Sequence, residues 1–426
     1  MTRARLFALA ALAGLCCLGH RSAIAQSGPD APAYGYPGPA FAPGGSGPMP
    51  PDAEPWYGSV DEVQAAGRRV GPRARVDGTF LRVEYLNYNF KNPGHELLGA
   101  PVAGVADPTK PFLVFPPGAP APLAFAVVPS TQSIDLSNTS GVQVTGGMSF
   151  IDGGSLEVSA FMLARKQSGF RMLPGQNIPF DTDFDGTIDP PAVELAEGES
   201  LPLNVATSTL FHGQLSDHVF LYNVSYQAVM QSQLWGGEAN YFFDVDDIGM
   251  LRFRPLIGAR YLNLTERLTQ VGVFQDILPG PPIVTTIDSH ATNNLWGPQI
   301  GFRTQIVTKY LEVGLTPKLL FLGNTAQVNV FTNHLRSNVD PVVGSGDHTT
   351  TFSFGADVGT YAQLNLSPHF SIRGGYNLLW LNRVTRPHKD VYYNDNGPLA
   401  PPAVVSRTVF SDILINGFSV GAQFQW

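Results

Sequence analysis

The chain has 426 residues, of which 26 are basic and 34 acidic, and its 45 glycines, 36 prolines and 11% aromatic content are unusual beside only 14% charged residues. Its formal net charge of −8 argues against a nucleic-acid partner, because binding to phosphates requires clustered Lys and Arg. Beyond the first 25 residues no apolar run reaches the roughly 18 residues of a membrane-spanning helix.

Residues 1–25 have the pattern of a secretory signal peptide. Two arginines precede an apolar run at 6–18, and an A-x-A cleavage site follows at 23–25. Removing this segment deletes three arginines and no acid, which leaves 23 basic against 34 acidic residues and a formal charge of −11. Both cysteines, Cys16 and Cys17, lie inside it, so we expect no disulfide or Cys-metal chemistry in the exported chain.

The exported chain divides into two parts. Residues 26–76 are rich in Pro, Gly and Ala without apolar periodicity, which predicts a disordered periplasmic leader. From residue 77 to 426 a two-residue alternation recurs. In its first instance Leu81 and Val83 alternate with Arg82 and Glu84, and because charged side chains cannot face lipid, we expect them to point inward.

The alternation predicts ten strands whose connections are alternately short and long. Short turns are expected near 152–154, 244–249, 305–309 and 367–369, and long loops at about 91–140, 166–217, 265–292, 322–348 and 382–412. This arrangement is typical of an all-β transmembrane antiparallel up-and-down β-barrel, with long extracellular loops, short periplasmic turns and both termini in the periplasm. Twelve strands are the alternative, with extra pairs from 111–128 and 327–331.

The last eleven residues, NGFSVGAQFQW, predict the closing strand. Phe418, Val420, Phe424 and Trp426 share one apolar face, which we expect to meet outer-membrane lipid and to carry the signal for the barrel-insertion machinery. A soluble sandwich would fit this alternation equally well, but it gives no reason for the alternation of turn and loop lengths.

Five sequence blocks resemble those of the planctomycete outer-membrane β-barrel family: FLRVEYLNY (80–88), LWGGEANY (234–241), LIGARYLNLTERL (256–268), NNLWGPQIGFR (293–303) and LEVGLTPKLLFLGN (311–324). The resemblance covers about 78–426 and implies a barrel in the outer membrane of a planctomycete-type cell. Because that family is poorly characterised functionally, the resemblance implies no catalytic residue.

Twelve charged side chains fall on the inward parity of the predicted strands. They are Arg82, Glu84, Glu157, Glu238, Arg252, Arg254, Arg260, Arg303, Glu312, Lys318, Asp357 and Arg373. A bore of about ten strands is narrow enough for such side chains to meet across it. We therefore expect a packed polar interior, with a small, weakly selective channel as the alternative.

An Asp-rich stretch in the second long loop predicts a calcium site. Asp181, Asp183, Asp185 and Asp189 stand at positions 1, 3, 5 and 9 of a calcium-type loop, and the Thr187 carbonyl stands at position 7. Position 12 lacks the bidentate Glu of an EF-hand, so the stretch is closer to the shorter calcium loops of dockerin and thrombospondin repeats. An acidic turn without metal is the alternative, and Ca²⁺ is the only cofactor that the sequence suggests.

Enzymatic signatures are weak. Asp347-His348 superficially resembles the Asp-His pair of omptin-type proteases, but neighbouring strand residues point to opposite faces. H-E-x-x-H is absent, and the run GFSVG at 417–421, which matches G-x-S-x-G, lies inside the predicted closing strand and not at a strand-to-helix elbow. The sequence predicts a non-enzymatic, porin-like outer-membrane barrel with a structural or small-solute channel role. The alternative is a receptor or adhesin whose long loops bind a surface ligand.

Overall fold

The computed structural model describes residues 76–115, 124–150, 154–175, 177–179, 200–244, 250–276, 279–335, 337–395 and 404–426. Within them, ten antiparallel strands form a closed barrel. The strands are β1 (Val76–Phe90), β2 (Thr139–Phe150), β3 (Ser155–Leu163), β4 (Ser225–Phe242), β5 (Leu251–Phe274), β6 (Ile283–Val307), β7 (Leu311–Asn333), β8 (Val343–Ser367), β9 (Phe370–Thr385) and β10 (Phe410–Gln425). No helix in this part of the chain is long and apolar enough to cross a membrane.

Each strand pairs with the next, and β10 returns to β1 to close the ring. The closing register runs from Phe80 opposite Gln425 to Phe90 opposite Ile415. The links β2–β3, β4–β5, β6–β7 and β8–β9 are all short, and we call the end of the barrel that carries them the turn end and the opposite end the loop end. The predicted ten-stranded antiparallel barrel is confirmed. The twelve-stranded alternative is wrong, because 327–331 belongs to β7.

Two of the predicted long loops are largely strand. The register of β5 with β6 continues to Phe274 opposite Ile283, and that of β7 with β8 continues to Thr332 opposite Val343. The predicted loops at 265–292 and 322–348 therefore shrink to short connections at 275–282 and 334–342. The loop-end halves of these strands were missed because their apolar residues change parity partway along each strand.

We call this change of parity the pattern inversion. On β5 the apolar residues Phe253 and Ile257 point outward and are exposed, whereas Leu262 and Leu264 point inward and are fully buried. No register shift separates the two halves of β5 in its pairing with β4 or β6. The inversion is thus a property of the sequence and not of the strand pairing. The apolar residues of the wall are on its outer face in the turn-end half and on its inner face in the loop-end half.

The turn-end half of the wall carries a band of outward-facing, exposed apolar side chains. The band includes Val83, Tyr85, Val142, Met162, Ile257, Ile300, Val313, Leu315, Leu319, Ile372, Tyr376, Phe418 and Val420. Aromatic residues flank it, with Phe253, Phe302, Phe424 and Trp426 nearer the turn end and Trp235, Trp296 and Phe352 nearer the loop end. An apolar band between two aromatic girdles is the surface that an outer-membrane barrel presents to lipid.

Short elements fill the loop end. The strands Phe112–Val114, Ala124–Val127, Asn177–Pro179, Ser200–Ser208 and Val219–Tyr222 form a separate sheet, which we call the cap sheet. The remaining elements are the strand Lys166–Met172, which continues the wall along β4, the two-residue strands Leu210–Phe211, Val391–Tyr392, Asn394–Asp395 and Val405–Ser406, and the 3₁₀ helix Thr131–Ser133. Within the predicted extra pair at 111–128, the described strands Phe112–Val114 and Ala124–Val127 belong to the cap sheet and not to the barrel wall.

The pattern inversion can be tested by placing the same residue on opposite faces of β7. Val328 points inward and is fully buried, whereas Gln327 beside it is exposed on the outer face. Val328→Thr keeps the side-chain volume but buries a hydroxyl without a partner, so the free energy of unfolding should fall by about 1–2 kcal/mol. The matched control, Gln327→Thr, should change it by less than about 0.5 kcal/mol.

The measurement is urea unfolding of the refolded barrel in detergent micelles. If 322–348 were a loop, as its sequence suggests, both variants would leave the unfolding midpoint unchanged. Equal midpoints for the two variants would therefore contradict the pattern inversion.

Candidate functional site

The bore is the candidate functional site, because it gathers charged side chains from strands that are far apart in sequence. Below the pattern inversion, outward residues are apolar and the inward ones are polar. The structure places eight of the predicted lumen residues around one cavity of about 80 Å³. They are Arg82, Glu84, Glu157, Glu238, Arg303, Lys318, Asp357 and Arg373.

A cluster of four charged side chains joins two pairs of neighbouring strands, β4 with β5 and β7 with β8. Lys318 Nζ on β7 lies 2.9 Å from Glu238 Oε2 on β4 and 3.1 Å from Asp357 Oδ2 on β8. Arg260 on β5 reaches both carboxylates as well, with its Nη2 at 2.5 Å from Asp357 Oδ2. Two cations and two carboxylates thus pair across the bore. Burial of these charges is tolerated because each one has an opposite partner and hydrogen bonds.

A second cross-bore pair joins β3 to β6. The guanidinium of Arg303 donates to both oxygens of Glu157, at 2.6 and 2.8 Å. Its planar face lies over the ring of Phe242, with 4.0 Å between Arg303 Cζ and the ring centroid. A bidentate, stacked arginine is held in one orientation. This pair narrows the bore close to the turn end.

Three of the remaining predicted lumen residues, Arg252, Arg254 and Glu312, lie nearer the turn end and do not line the cavity. Glu312 accepts hydrogen bonds from Gln305 at 2.6 Å and from the Tyr361 hydroxyl at 2.7 Å. Arg254 Nε lies 3.7 Å from Asp244 Oδ1, and Arg252 is half-buried on the same strand.

Above the polar layer, the bore is filled by an apolar core that the sequence interpretation did not include. Inward leucines from the wall, such as Leu262, Leu264 and Leu295, contact apolar side chains that descend from the loops. The descending residues are Leu98, Val127, Ile134, Leu136, Val205 and Tyr222. The even spacing of Leu262, Leu264 and Leu268 is the sequence pattern from which this core could have been predicted. From the turn end toward the loop end, the bore is thus closed first by polar contacts and then by an apolar core.

A polypeptide segment crosses the mouth above this core. We call residues 386–395 and 404–409, which link β9 to β10, the strap. Arg386 in the strap donates to both oxygens of Glu266 on β5, at 2.8 and 3.0 Å, and its Nη1 donates to the Lys91 carbonyl at 2.9 Å. Both partners of this ion pair are buried. Nothing in the sequence pattern indicated this pair, since Arg386 fell in a predicted loop.

Two titratable side chains of the strap are buried without full hydrogen bonding. One carboxylate oxygen of Asp390 accepts from the Val409 amide at 2.9 Å, while the other has no partner among the described residues. Burial raises the pKa of the Asp390 carboxyl to about 8, and the nearby Glu266 and Asp347 carboxylates add to this shift. Burial likewise holds the pKa of His388 well below its usual range. Both groups are therefore neutral near pH 7.

The remaining predicted site residues do not join this site. Phe418, Val420, Phe424 and Trp426 lie on the outer face and are about half exposed. The calcium-loop residues Asp181, Asp183, Asp185, Thr187 and Asp189 lie outside the described residues. Within the described ranges, no group of three His, Cys, Asp or Glu side chains is close enough together to hold a metal ion.

Asp347 and His348 were expected in a long loop, but the structure places them in β8. There they point to opposite faces, as successive strand residues do. Asp347 accepts a hydrogen bond from the Thr408 hydroxyl of the strap.

The buried pair of the strap can be compared with an exposed pair one residue away. Glu266→Gln leaves the Arg386 guanidinium buried without its counter-charge, so the free energy of unfolding should fall by about 3–5 kcal/mol. Arg267 next to it pairs with Asp288 on the outer surface at 2.7 Å, where Arg267→Gln should cost less than about 1 kcal/mol. Urea titration of both variants measures the difference. Equal losses would contradict the assigned burial of the Glu266–Arg386 pair.

The buried carboxyl of Asp390 predicts a pH dependence of stability. With its folded pKa at about 8, Asp390 keeps its proton in the folded chain over a range in which the unfolded chain has lost it. Its contribution to stability is therefore complete below about pH 4 and declines by up to about 1.4 kcal/mol per pH unit until about pH 8. Asp390→Asn should remove this pH-dependent part of the free energy of unfolding.

Urea midpoints of the wild type and Asp390→Asn at pH 5, 6, 7 and 8 measure the effect. The stability advantage of Asp390→Asn should grow with pH across this range. The exposed Asp217 gives the matched control, since Asp217→Asn should follow the wild type at every pH. A constant difference between the wild type and Asp390→Asn would contradict the raised pKa.

Solved structures similar to this chain are outer-membrane proteins. The outer membrane protease OmpT from Escherichia coli is 8% identical with a TM-score of 0.40, and the match covers 84% of this chain and 99% of the protease. A Pseudomonas aeruginosa FadL homologue is 9% identical with a TM-score of 0.24, covering 82% and 90% of the two chains. The anion-selective porin from Comamonas acidovorans is 11% identical with a TM-score of 0.14, and the match covers 83% of this chain and 100% of the porin. Similarity at this level does not extend to function.

A search of curated protein sequences finds no match to the chain. The model of one family, described as "Putative beta barrel porin-7 (BBP7)", matches residues 124–426, which is more than two thirds of the sequence. This agrees with the predicted outer-membrane barrel family, while an origin in a planctomycete-type cell stays a prediction. With its closed ten-stranded wall and lipid-facing band, the chain belongs to the beta barrel porin-7 family of outer-membrane barrels.

Proposed function

We propose that this protein is a non-enzymatic outer-membrane barrel with a closed bore, which anchors a folded head at the cell surface. The head consists of the loop-end halves of β4–β8, the cap sheet and the strap. One observation carries the proposal: the bore is filled by two successive layers, cross-bore ion pairs below and a fully buried apolar core above. A solute-conducting bore would need a continuous polar path, and the apolar layer interrupts it.

The proposed orientation places the loop end outside the cell and the turn end in the periplasm. The lipid-facing band lies in the turn-end half, so the loop-end half projects beyond the membrane. Export by the signal peptide at 1–25 and insertion by the barrel-insertion machinery complete this proposal. In it, the leader at 26–76 remains on the periplasmic side.

A head that stands clear of the membrane is suited to structural or binding roles. Its outer face carries exposed charged residues, such as the pair of Arg267 and Asp288. The separation of Asp347 and His348 onto opposite faces supports the non-enzymatic assignment. We therefore propose that the head forms surface architecture or receives a surface ligand.

The second candidate function is a gated small-solute channel, which the family description as a porin favours. In this alternative the strap and the cap sheet would have to leave the mouth together, because both contribute to the apolar layer and its cover. Displacing them would expose buried apolar side chains to water. The closed barrel is accordingly the function that the geometry supports better.

Planar-bilayer recording separates the two candidates. The refolded wild type should show no discrete current steps at voltages where a general porin in the same lipid conducts. Glu266→Gln, which weakens the anchor of the strap, should stay silent as well, because the cap sheet and the wall leucines still fill the bore. Stepwise openings of the wild type would contradict the closed barrel, and openings only in Glu266→Gln would favour the gated channel.

The Asp-rich stretch from Asp181 to Asp189 remains a proposed Ca²⁺ site in the second of the predicted long loops. Calorimetric titration of the refolded barrel with calcium should give a saturable heat that the double variant Asp183→Asn, Asp185→Asn loses. An absence of heat at millimolar calcium would remove the proposal.

A further inference from the structure

We propose that the turn-end half of the bore contains a binding site for a small oxyanion, a phosphate or a carboxylate, with Arg373 as its principal ligand and Arg82 beside it. The proposal does not depend on the role of the head. It follows from the hydrogen bonding of Arg373, the distribution of charge around it and the cavity into which it faces.

Among the cations that line the cavity, Arg373 has the least complete hydrogen bonding. Its guanidinium lies over the ring of Tyr361, with 3.4 Å between Cζ and the ring centroid. Its Nε is 3.7 Å from Glu84 Oε1, which is too long for a hydrogen bond, and Nε is buried without a partner. The guanidinium donates no hydrogen bond to any described residue. Nε is therefore a buried donor without an acceptor, which is costly unless a ligand or water accepts from it, and the two Nη groups are free to donate to the same ligand.

The charges around Arg373 leave one cation in excess. Arg260 and Lys318 are matched by Glu238 and Asp357, and Arg303 is matched by Glu157. Glu84 alone serves two arginines, because its Oε2 accepts from Arg82 Nε at 3.1 Å while Arg373 stands farther off.

Glu312 does not supply the missing negative charge. Its carboxylate accepts from Gln305 and from the hydroxyl tip of Tyr361, whereas the Arg373 guanidinium lies over the face of that ring. An anion bound between Arg373 and Arg82 would supply this charge directly.

The space for the anion is present. Arg82 and Arg373 both line the cavity of about 80 Å³, together with the neutral polar side chains of Thr145, Asn377 and Ser419. This volume accommodates a few water molecules or one small anion. The planar fork of a guanidinium matches the paired oxygens of a carboxylate or a phosphate, so an oxyanion fits these donors better than chloride does.

The test uses the full chain, refolded in detergent micelles in chloride-free zwitterionic buffer and titrated calorimetrically with inorganic phosphate and, separately, with acetate. A second sample is refolded in phosphate and desalted, and its retained phosphate is counted per folded chain, so that the result does not depend on the route of access. Heat-modifiable electrophoretic migration confirms folding of every variant.

Wild type should bind one anion per chain, and the tighter of the two titrants identifies the ligand class. Arg373→Gln should weaken binding about tenfold or more, because a charge-assisted hydrogen-bond donor is lost. Arg373→Lys keeps the charge but lacks the planar fork of the guanidinium, so its affinity for the anion should lie between those of the wild type and Arg373→Gln. Glu84→Gln should tighten binding, since it removes the carboxylate that competes for both arginines.

Arg171→Gln is the matched control, because Arg171 is exposed outside the bore and should leave binding unchanged. Two outcomes would overturn the proposal. One is an absence of both heat and retained anion in the wild type, which would mean that water alone solvates Arg373. The other is equal binding by the wild type and Arg373→Gln.

Discussion

The structure depends on one constraint: a single continuous β-sheet wall extends from lipid hydrocarbon into water. In its turn-end half, outward side chains meet hydrocarbon, so apolar residues such as Ile257 and Ile300 stand outside and charged residues stand inside. In its loop-end half, outward side chains meet water, so the apolar residues move to the inner face. The pattern inversion on β5 and β6, beside Tyr261 and Trp296, marks the level at which the solvent changes.

The two kinds of interior follow from this constraint. A polar inner face in a narrow barrel can be buried only if its charges are paired, and the cluster of Glu238, Arg260, Lys318 and Asp357 meets that condition across the bore. An apolar inner face above the membrane would be wetted if the mouth were open. The cap sheet and the strap cover it and convert the projecting half into an ordinary globular core.

The barrel and its polar interior could be predicted because they depend on local alternation. Arg82 and Glu84 fall between apolar residues, and short links between successive strands indicate an antiparallel ring. The projecting halves could also have been found, since Leu262, Leu264 and Leu268 keep the strand period in the opposite parity. The Arg386–Glu266 pair was beyond prediction, because it joins residues 120 positions apart through a segment without periodicity.

The layering also separates the two ends of the molecule in their chemistry. The fully buried apolar core stands between the strap and the cavity lined by Arg373 and separates that cavity from the mouth. A charged ligand of Arg373 would therefore have to arrive from the turn end, past the half-buried Arg252 and Arg254. A ligand of the head would therefore contact a different surface from a ligand of Arg373, with the apolar core between the two.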